Sequence, residues 1–236
     1  MNTGNNIFAE RANWSFGNNT PEHFDEHVGK SVPFYEEGHN LVCYLSDYFC
    51  KNDSVCYELG SSTGQLTKKL ALYNEHKPGI KWVGIDKEPG MIRKAKGNCT
   101  EIKNIEFHEA DLMLFDFEKS DFIVSYYTIQ FMPERHRQEF FNKIYEQLNW
   151  GGAFLLFEKV RAPDARFQDM MTGLYHDFKK RNGFTSEEII NKMQSLKGSL
   201  DPFSTEGNLE MLKRAGFVDI MSVMKYVCFE GFLAIK

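Results

Sequence analysis

The stretch Ser54-Val-Cys-Tyr-Glu-Leu-Gly-Ser-Ser-Thr-Gly64 decides the fold that this sequence predicts. A short apolar run ends at the acidic residue Glu58 and passes directly into a turn that contains Gly60 and Gly64. Helix-forming residues resume at once, so the stretch predicts a strand, a tight turn and a helix N-terminus. α/β proteins bind nucleotide-like ligands at such turns, because glycine lets the backbone approach a ligand. Alone the turn is a weak signal, since Ser62 stands where a further glycine is often found.

The segments downstream alternate between strand-like and helix-like patterns. Five strands with intervening segments are predicted at 54–59, 81–86, 104–108, 121–125 and 153–160. Strands separated by helices of about ten or more residues predict a parallel sheet with right-handed crossovers. Two further strands, at 218–223 and 227–235, are joined by a short turn and should be antiparallel. The pattern predicts an α/β fold with a seven-stranded, mostly parallel sheet and an antiparallel last strand.

Two segments interrupt this alternation. Residues 1–34 are aromatic and polar with little periodicity, which indicates an irregular N-terminal arm with one short helix near 22–28. Residues 164–200 contain two helical patterns divided at Asn182-Gly183 and precede the sixth strand as a helical insert. No linker or repeat separates these parts, so residues 1–236 are expected to form one domain.

Composition excludes several classes of protein. The chain has 236 residues, 42% of them hydrophobic, and can bury a core without disulfides or metals. Its net charge of -5 gives no bulk attraction to nucleic acid or to an anionic membrane. The five cysteines form no C-x-x-C pair and make no convincing zinc site. With a polar N-terminus and no apolar run near the roughly 20 residues that span a bilayer, we expect a cytoplasmic protein without metal, nucleic-acid or membrane partners.

Acidic residues follow three of the predicted strands, at Glu58, Asp86 and Asp111. Ligands of open parallel sheets bind beyond the carboxyl ends of the strands, so these side chains are expected to share one site. Glu58 and Asp86 would repel a pyrophosphate, and no basic residue lies in the glycine turn. S-adenosylmethionine carries a ribose, an adenine, an ammonium and a sulfonium but no phosphate, and is the better match. Taken singly, Asp86 and Asp111 could be ordinary helix caps.

Several motifs together resemble the class I S-adenosylmethionine-dependent methyltransferases. More narrowly, they are similar to the carboxy-S-adenosylmethionine synthases, which take part in modifying the wobble uridine of tRNA. The resemblance covers most of the chain, and the glycine turn with serine at Ser62 belongs to it. The other segments that carry it include Phe24-Asp25-Glu26-His27-Val28, Ser31-Val32-Pro33 with Tyr35, Thr128-Ile129-Gln130-Phe131, Lys143-Ile144-Tyr145, Leu148-Asn149, Gly151-Gly152-Ala153, Glu158-Lys159 and His176-Asp177-Phe178-Lys179 with Asn182-Gly183.

This resemblance implies a Rossmann-like class I methyltransferase fold, a homodimer formed through the inserted helices, and a defined cofactor pocket. The cofactor would be S-adenosylmethionine or carboxy-S-adenosylmethionine. By the resemblance, the residues that line its pocket are Tyr35, Gly60, Ser61, Ser62, Asp86, Lys87, Asp111 and Leu112. The strand-end pattern adds Glu58, Gly64, Tyr126 and Gln130, although residues such as Tyr126 and Gln130 after a buried strand are often only core.

The sequence departs from the resembled family at two positions. Tyr126 stands where the family has an asparagine after the fourth strand. Met193 stands where the family has the arginine that holds the carboxylate of the modified cofactor, and a thioether cannot replace a guanidinium. No arginine occurs between Arg181 and Arg214, and Lys192 is expected to point elsewhere on its helix.

The sequence is compatible with three functions. The leading hypothesis is methyl transfer from S-adenosylmethionine to a small metabolite, an in-line displacement that depends on alignment and on a site matched to the changing charge. The alternatives are a carboxy-S-adenosylmethionine synthase that uses prephenate, with Arg181 or Lys192 holding the carboxylate, and a non-catalytic S-adenosylmethionine-binding protein. The catalytic candidates are His176, as a general base with a near-neutral pKa, and Tyr126; for His176 a structural role is the competing interpretation.

Overall fold

Seven β-strands form a single sheet in the computed structural model, which describes residues 1–236. The strands are β1 (Val55–Leu59), β2 (Lys81–Asp86), β3 (Ile105–Glu109), β4 (Ser120–Tyr126), β5 (Leu148–Lys159), β6 (Asp219–Tyr226) and β7 (Phe229–Ile235). Their order across the sheet is β3-β2-β1-β4-β5-β7-β6. Pairs from β3 to β5 are parallel, and only β7 runs against both of its neighbours. The predicted mostly parallel sheet with an antiparallel last strand is confirmed.

Eight α-helices connect and cover the strands. They are α1 (Thr20–Ser31), α2 (Tyr35–Phe49), α3 (Gln65–Tyr73), α4 (Pro89–Asn98), α5 (Glu134–Gln147), α6 (Ala165–Arg181), α7 (Ser186–Ser195) and α8 (Thr205–Ala215). Successive residues of β4 point to opposite faces of the sheet, so Phe122 and Val124 pack into one core and Ile123 into the other. The sheet is therefore covered on both faces, as its apolar central strands require.

The inserted helices are α6 and α7, which divide at the predicted Asn182-Gly183 break before β6. Thr185 begins α7 with a capping box: its hydroxyl accepts from the backbone N–H of Glu188, and the Glu188 carboxylate accepts in return from Thr185. Two predicted bounds were wrong. α1 is longer than 22–28 and has Pro21 in its first turn. β5 begins at 148 rather than 153, because its first residue pairs with the start of β4 across a bulge.

Hydrogen bonds join the N-terminal arm to the insert. The hydroxyl of Tyr175 on α6 donates to the carbonyl of Ser31 at 3.0 Å. The amide of Asn182 donates to the carbonyl of Lys30 at 3.1 Å, and the backbone N–H of Trp14 donates to an α7 carbonyl at 3.1 Å. The arm and the insert thus pack together as one cover. None of the eight α-helices combines the length and the apolar composition that a bilayer span requires.

Candidate functional site

A cavity of about 880 Å³ lies at the carboxyl ends of the parallel strands, between the sheet and the cover. Small-molecule sites usually enclose about 300–1,000 Å³, so it can hold a ligand of nucleoside size together with a second small molecule. Strands β1, β2 and β4 contribute Glu58, Asp86 and Tyr126 at their ends. The arm contributes Trp14 and the insert contributes His176. The predicted convergence of strand-end side chains is therefore present in the fold.

Glu58 is a buried carboxyl group at the end of β1. The hydroxyl of Thr67 on α3 donates to it, which holds the side chain at the wall of the cavity. Burial raises the pKa of Glu58 to about 8, because a carboxylate loses hydration in the interior. The group is therefore mostly neutral at pH 7, and an ammonium placed next to it would favour the charged form.

Asp86 organises the glycine turn from the end of β2. One of its carboxylate oxygens accepts from the backbone N–H of Ser62 at 2.9 Å, and the other accepts from the N–H of Glu88 at 2.9 Å. Burial raises the pKa of Asp86, and these two donors oppose the shift. Gly60 in the same turn has φ +73°, and a Cβ there would overlap the side chain of Thr128. Only glycine fits this position, which explains the turn that the sequence predicted.

The remaining predicted cofactor residues differ in how they meet the cavity. Ser61, Lys87, Asp111 and Leu112 line it, and Asp111 accepts from the N–H of Met113 at 2.8 Å to close a turn at the rim. Gly64 does not line the cavity, because it packs against Ala95 and Phe107 behind the turn with φ +78°. The requirement for glycine at position 64 is thus explained by helix packing.

Tyr126 packs in an aromatic cluster with Tyr35 and His39 at the cavity wall. Its ring lies 5.3 Å from that of Tyr35 and 4.7 Å from that of His39, measured between centroids. Its hydroxyl donates to the backbone carbonyl of Tyr35 at 2.9 Å. Gly38 makes room for this bond, since a Cβ there would overlap the hydroxyl. Burial raises the pKa of Tyr126 far above its usual range, which makes the hydroxyl unsuited to accept a proton as a general base.

Gln130 links the end of β4 to the end of β5. Its amide nitrogen donates to the carbonyl of Tyr127 at 3.2 Å, and its oxygen accepts from the N–H of Lys159 at 2.8 Å. The side chain is buried and borders the cavity, with both of its polar atoms bonded to backbone. This geometry matches the core interpretation of Gln130 and still leaves its apolar surface available to a ligand.

His176 on α6 lines the cavity and is half-buried. Burial lowers its pKa below the ordinary value, and the neighbouring ammonium groups of Lys179 and Lys159 lower it further. The imidazole is therefore neutral at pH 7 and able to accept a proton. No protein group occupies its ring nitrogens with a hydrogen bond, so the competing structural interpretation finds no bond to support it.

Three lysines line the cavity on the side of the insert, and of these the sequence had offered only Lys192, as one of two candidates to hold a carboxylate. Lys159 ends β5, Lys179 lies in the last turn of α6, and Lys192 lies on α7. The expectation that Lys192 points elsewhere was wrong, because Lys192 and Met193 both line the cavity. Arg181 is exposed and does not line it. A usable signal was present at Lys159, a charge directly at the end of a buried strand, as at Asp86.

Comparisons with known proteins agree with this geometry. Residues 57–152 match a family model described as a methyltransferase domain. Human N-acetylserotonin methyltransferase, solved in complex with SAM, aligns with a TM-score of 0.62 and 18% identity over 92% of this chain and 56% of that one. An O-methyltransferase family protein from Burkholderia thailandensis aligns with a TM-score of 0.65 and 13% identity over 92% and 59%. The fold is that of the class I methyltransferases, as the resemblance implied.

Sequence relatives narrow the class to one family. The carboxy-S-adenosyl-L-methionine synthase of Staphylococcus epidermidis is 38% identical over 224 residues, which cover 94% of this chain and 97% of that protein. The protein of the same name from Campylobacter lari is 35% identical and covers 94% of each. The chain therefore belongs to the carboxy-S-adenosyl-L-methionine synthase family, and it is an enzyme of the methyltransferase class.

Proposed function

We propose that this enzyme binds S-adenosyl-L-methionine and adds a carboxyl group to its S-methyl carbon, with prephenate as the carboxyl donor. The product would be carboxy-S-adenosyl-L-methionine, which is the product in the name of its relatives. One observation carries the choice over methyl transfer to a metabolite. Lys192 lines the cavity beside Met193 and provides a cation where the family's arginine is absent. An ammonium can pair with a carboxylate as a point charge, although without the bidentate geometry of arginine.

The residues of the cavity divide the work between its two sides. Glu58 and Asp86 suit the cofactor, because a carboxylate accepts hydrogen bonds from an ammonium or from a ribose diol. The positive sulfonium acidifies the methyl group attached to it. Forming the new carbon–carbon bond requires that a proton leave this methyl carbon while the carboxyl group of the donor arrives. His176 is neutral and unbonded in the cavity, so it is our candidate to accept that proton.

The test is incubation of the enzyme with S-adenosyl-L-methionine and prephenate, followed by mass analysis of the nucleoside product. A gain equal to one carbon dioxide in the cofactor is the expected result. An unchanged cofactor mass in the presence of prephenate would overturn the proposal. Release of S-adenosylhomocysteine with an added metabolite would instead support methyl transfer, which Met193 as an apolar wall residue leaves as the second candidate. Calorimetric binding of S-adenosylmethionine without either product would favour the non-catalytic S-adenosylmethionine-binding protein.

We also propose that the enzyme is a cytoplasmic homodimer in which residues 1–236 act as one domain. Phe167, Met170 and Leu174 form an exposed apolar stripe along α6, and each side chain is at least 43% exposed. Their spacing of three and four places them on one face of the helix, and a second copy of the chain would cover that face. Light scattering should give a dimer mass, and Leu174→Glu should shift it to a monomer. A monomeric wild-type enzyme would refute the dimer.

A further inference from the structure

Lys159, Lys179 and Lys192 differ from the other lysines of the chain. Lysines such as Lys81 and Lys225 pair with carboxylates, and Lys143 donates to backbone carbonyls. Other lysines without an acceptor, such as Lys180 and Lys197, are exposed to water. Lys159, Lys179 and Lys192 have no protein acceptor within hydrogen-bonding or ion-pairing distance, although Lys179 is only 5% exposed. A buried ammonium without an anion is costly, so the fold maintains this arrangement at the expense of its stability.

Each of the three ammonium groups lies over an aromatic ring at the wall of the cavity. The nitrogens of Lys159 and Lys179 each lie 4.5 Å from the ring centroid of Tyr175, so the two cannot be further apart than twice that distance. The nitrogen of Lys192 lies over the ring of Trp14. Cation–π contacts hold an ammonium without neutralising its charge, which leaves each nitrogen able to pair with an anion. The contacts therefore position the charges for a ligand.

The three lysines come from separate parts of the chain, and the fold places all of them at one side of the cavity. Lys159 is fixed by the sheet, Lys179 and Tyr175 by α6, and Lys192 by α7, so three separate elements bring it together. The hydroxyl of Tyr175 is anchored on the carbonyl of Ser31 in the cover. No carboxylate lies close enough to any of the three nitrogens to form an ion pair, whereas the acidic groups Glu58, Asp86 and Asp111 belong to the strand ends on the cofactor side.

We propose that Lys159, Lys179 and Lys192 form an anion pocket that selects a substrate with two carboxylates. The assignment rests on the proposed function, because it identifies that substrate with the carboxyl donor. A monocarboxylate would leave two of the three ammonium groups unpaired. A dicarboxylate would leave only one unpaired, and this ammonium group could face the cofactor. The transfer breaks the bond from the donor's ring to one carboxyl carbon, and the C–H electron pair of the S-methyl carbon forms the new bond to that carbon. The electron pair left on the ring makes it aromatic and expels the ring hydroxyl, which leaves as water with the proton taken from the methyl carbon. One carboxylate thus moves and none is lost, so the pocket faces equal negative charge before and after.

The test compares Lys179→Met with Lys180→Met, a matched change at the next and exposed residue of the same helix. Methionine is close to lysine in length, so both variants should fold, as melting curves can verify. For Lys179→Met we expect the KM for prephenate to rise about 30-fold or more, as for loss of one charged partner. S-adenosylhomocysteine binding should stay within about twofold, because the cofactor side is unchanged. Lys180→Met should alter neither quantity, and Lys179→Arg should recover part of the loss.

A binding measurement separates this proposal from the proposed function. Calorimetry with the enzyme saturated by S-adenosylhomocysteine should give about tenfold or greater preference for prephenate over the monocarboxylate phenylpyruvate. If the wild-type enzyme makes no carboxylated cofactor but shows this preference, the proposed reaction is refuted and the proposed anion pocket is still supported. If it makes the product while Lys179→Met keeps its KM, the pocket is overturned. Equal losses in Lys179→Met and Lys180→Met would also overturn it, since general surface charge would then explain the effect.

Discussion

The cavity has two walls of opposite charge, and they are built in different ways. The acidic wall consists of Glu58, Asp86 and Asp111, and each of these carboxyl groups has a donor within the protein. Glu58 accepts from the hydroxyl of Thr67, Asp86 from the N–H groups of Ser62 and Glu88, and Asp111 from the N–H of Met113. The basic wall, defined by Lys159, Lys179 and Lys192, contains ammonium groups without any protein acceptor. The carboxyl groups of the acidic wall therefore have hydrogen-bond partners in the protein, whereas the ammonium groups of the basic wall have none and need the negative charge of a ligand.

The largest expected effect concerns the stability cost of the basic wall. Burial lowers the pKa of Lys179 to about 8, well below its ordinary value. Such a shift corresponds to about 3 kcal/mol of lost stability, so Lys179→Met should raise the free energy of unfolding by about that amount at pH 7. The charged form is disfavoured only in the folded state. The gain should therefore be complete below pH 8, decline as the pH rises from about 8 to about 10.5, and disappear above.

Denaturant unfolding of the ligand-free enzyme across this pH range provides the measurement. Lys180→Met is the control, because Lys180 is exposed and its substitution should change stability by less than about 0.5 kcal/mol. A destabilised Lys179→Met variant would contradict the contrast between the two walls. It would mean that the ammonium of Lys179 already has a stabilising partner in the folded protein.

Next in size is the loss of the acidic wall's central group. Asp86→Ala removes the acceptor of two backbone N–H groups and the carboxylate that faces the cavity. We expect S-adenosylhomocysteine to bind about 30-fold more weakly, or about 2 kcal/mol, as for loss of charge-assisted hydrogen bonds. Calorimetry measures this, and Asp116→Ala, a change at an exposed aspartate outside the cavity, is the control. Equal binding in both variants would show that the acidic wall does not hold the cofactor.

The two walls also differ in how far the sequence could predict them. Asp86 follows a buried strand, and parallel strand ends must meet at one edge, so the local pattern fixes its position. Lys159 also lies at a strand end, but its function depends on an anionic ligand, which is not part of the chain. The direction of Lys179 and Lys192 depends on the rotation of α6 and α7 against the arm, through contacts such as Tyr175 with Ser31. Helical spacing alone does not determine that rotation.

The same distinction between local and distant information explains the fold predictions. The alternation of strands and helices along the chain and the break before α7 followed from periodicity and from glycine and cap signals next to the elements, such as Thr185. The early start of β5 did not, because it depends on pairing with β4 across a bulge. The prediction of a catalytic role for Tyr126 rests only on its place after β4. Its bond to Tyr35 requires the gap at Gly38 on α2, which no local pattern reveals.

A smaller effect tests whether Tyr126 has a catalytic role or a structural role in the cavity wall. Tyr126→Phe removes the hydroxyl bond to the Tyr35 carbonyl and should lower the free energy of unfolding by about 1 kcal/mol. We expect turnover with prephenate to stay within about threefold, because the ring contacts remain. Tyr127→Phe is the matched control, since the buried hydroxyl of Tyr127 has no protein partner and its removal should not destabilise the ligand-free enzyme. Loss of turnover in a stable Tyr126→Phe variant would restore its catalytic role.

The smallest expected effect is a difference in the sign of proton exchange at the two walls. Glu58 and Lys179 both titrate near pH 8, because burial raises the pKa of one and lowers that of the other. At pH 8, binding of the ammonium-bearing cofactor should release about half a proton from Glu58, and binding of an anionic substrate should take up about half a proton at Lys179. Cofactor affinity should then rise about threefold per pH unit near pH 8, while substrate affinity falls by a similar factor.

Calorimetry in buffers of different ionisation enthalpy measures both proton exchanges. Glu58→Gln should abolish only the exchange on cofactor binding, and Lys179→Met only the exchange on substrate binding. Exchanges of the same sign would mean that the two walls do not bind ligands of opposite charge.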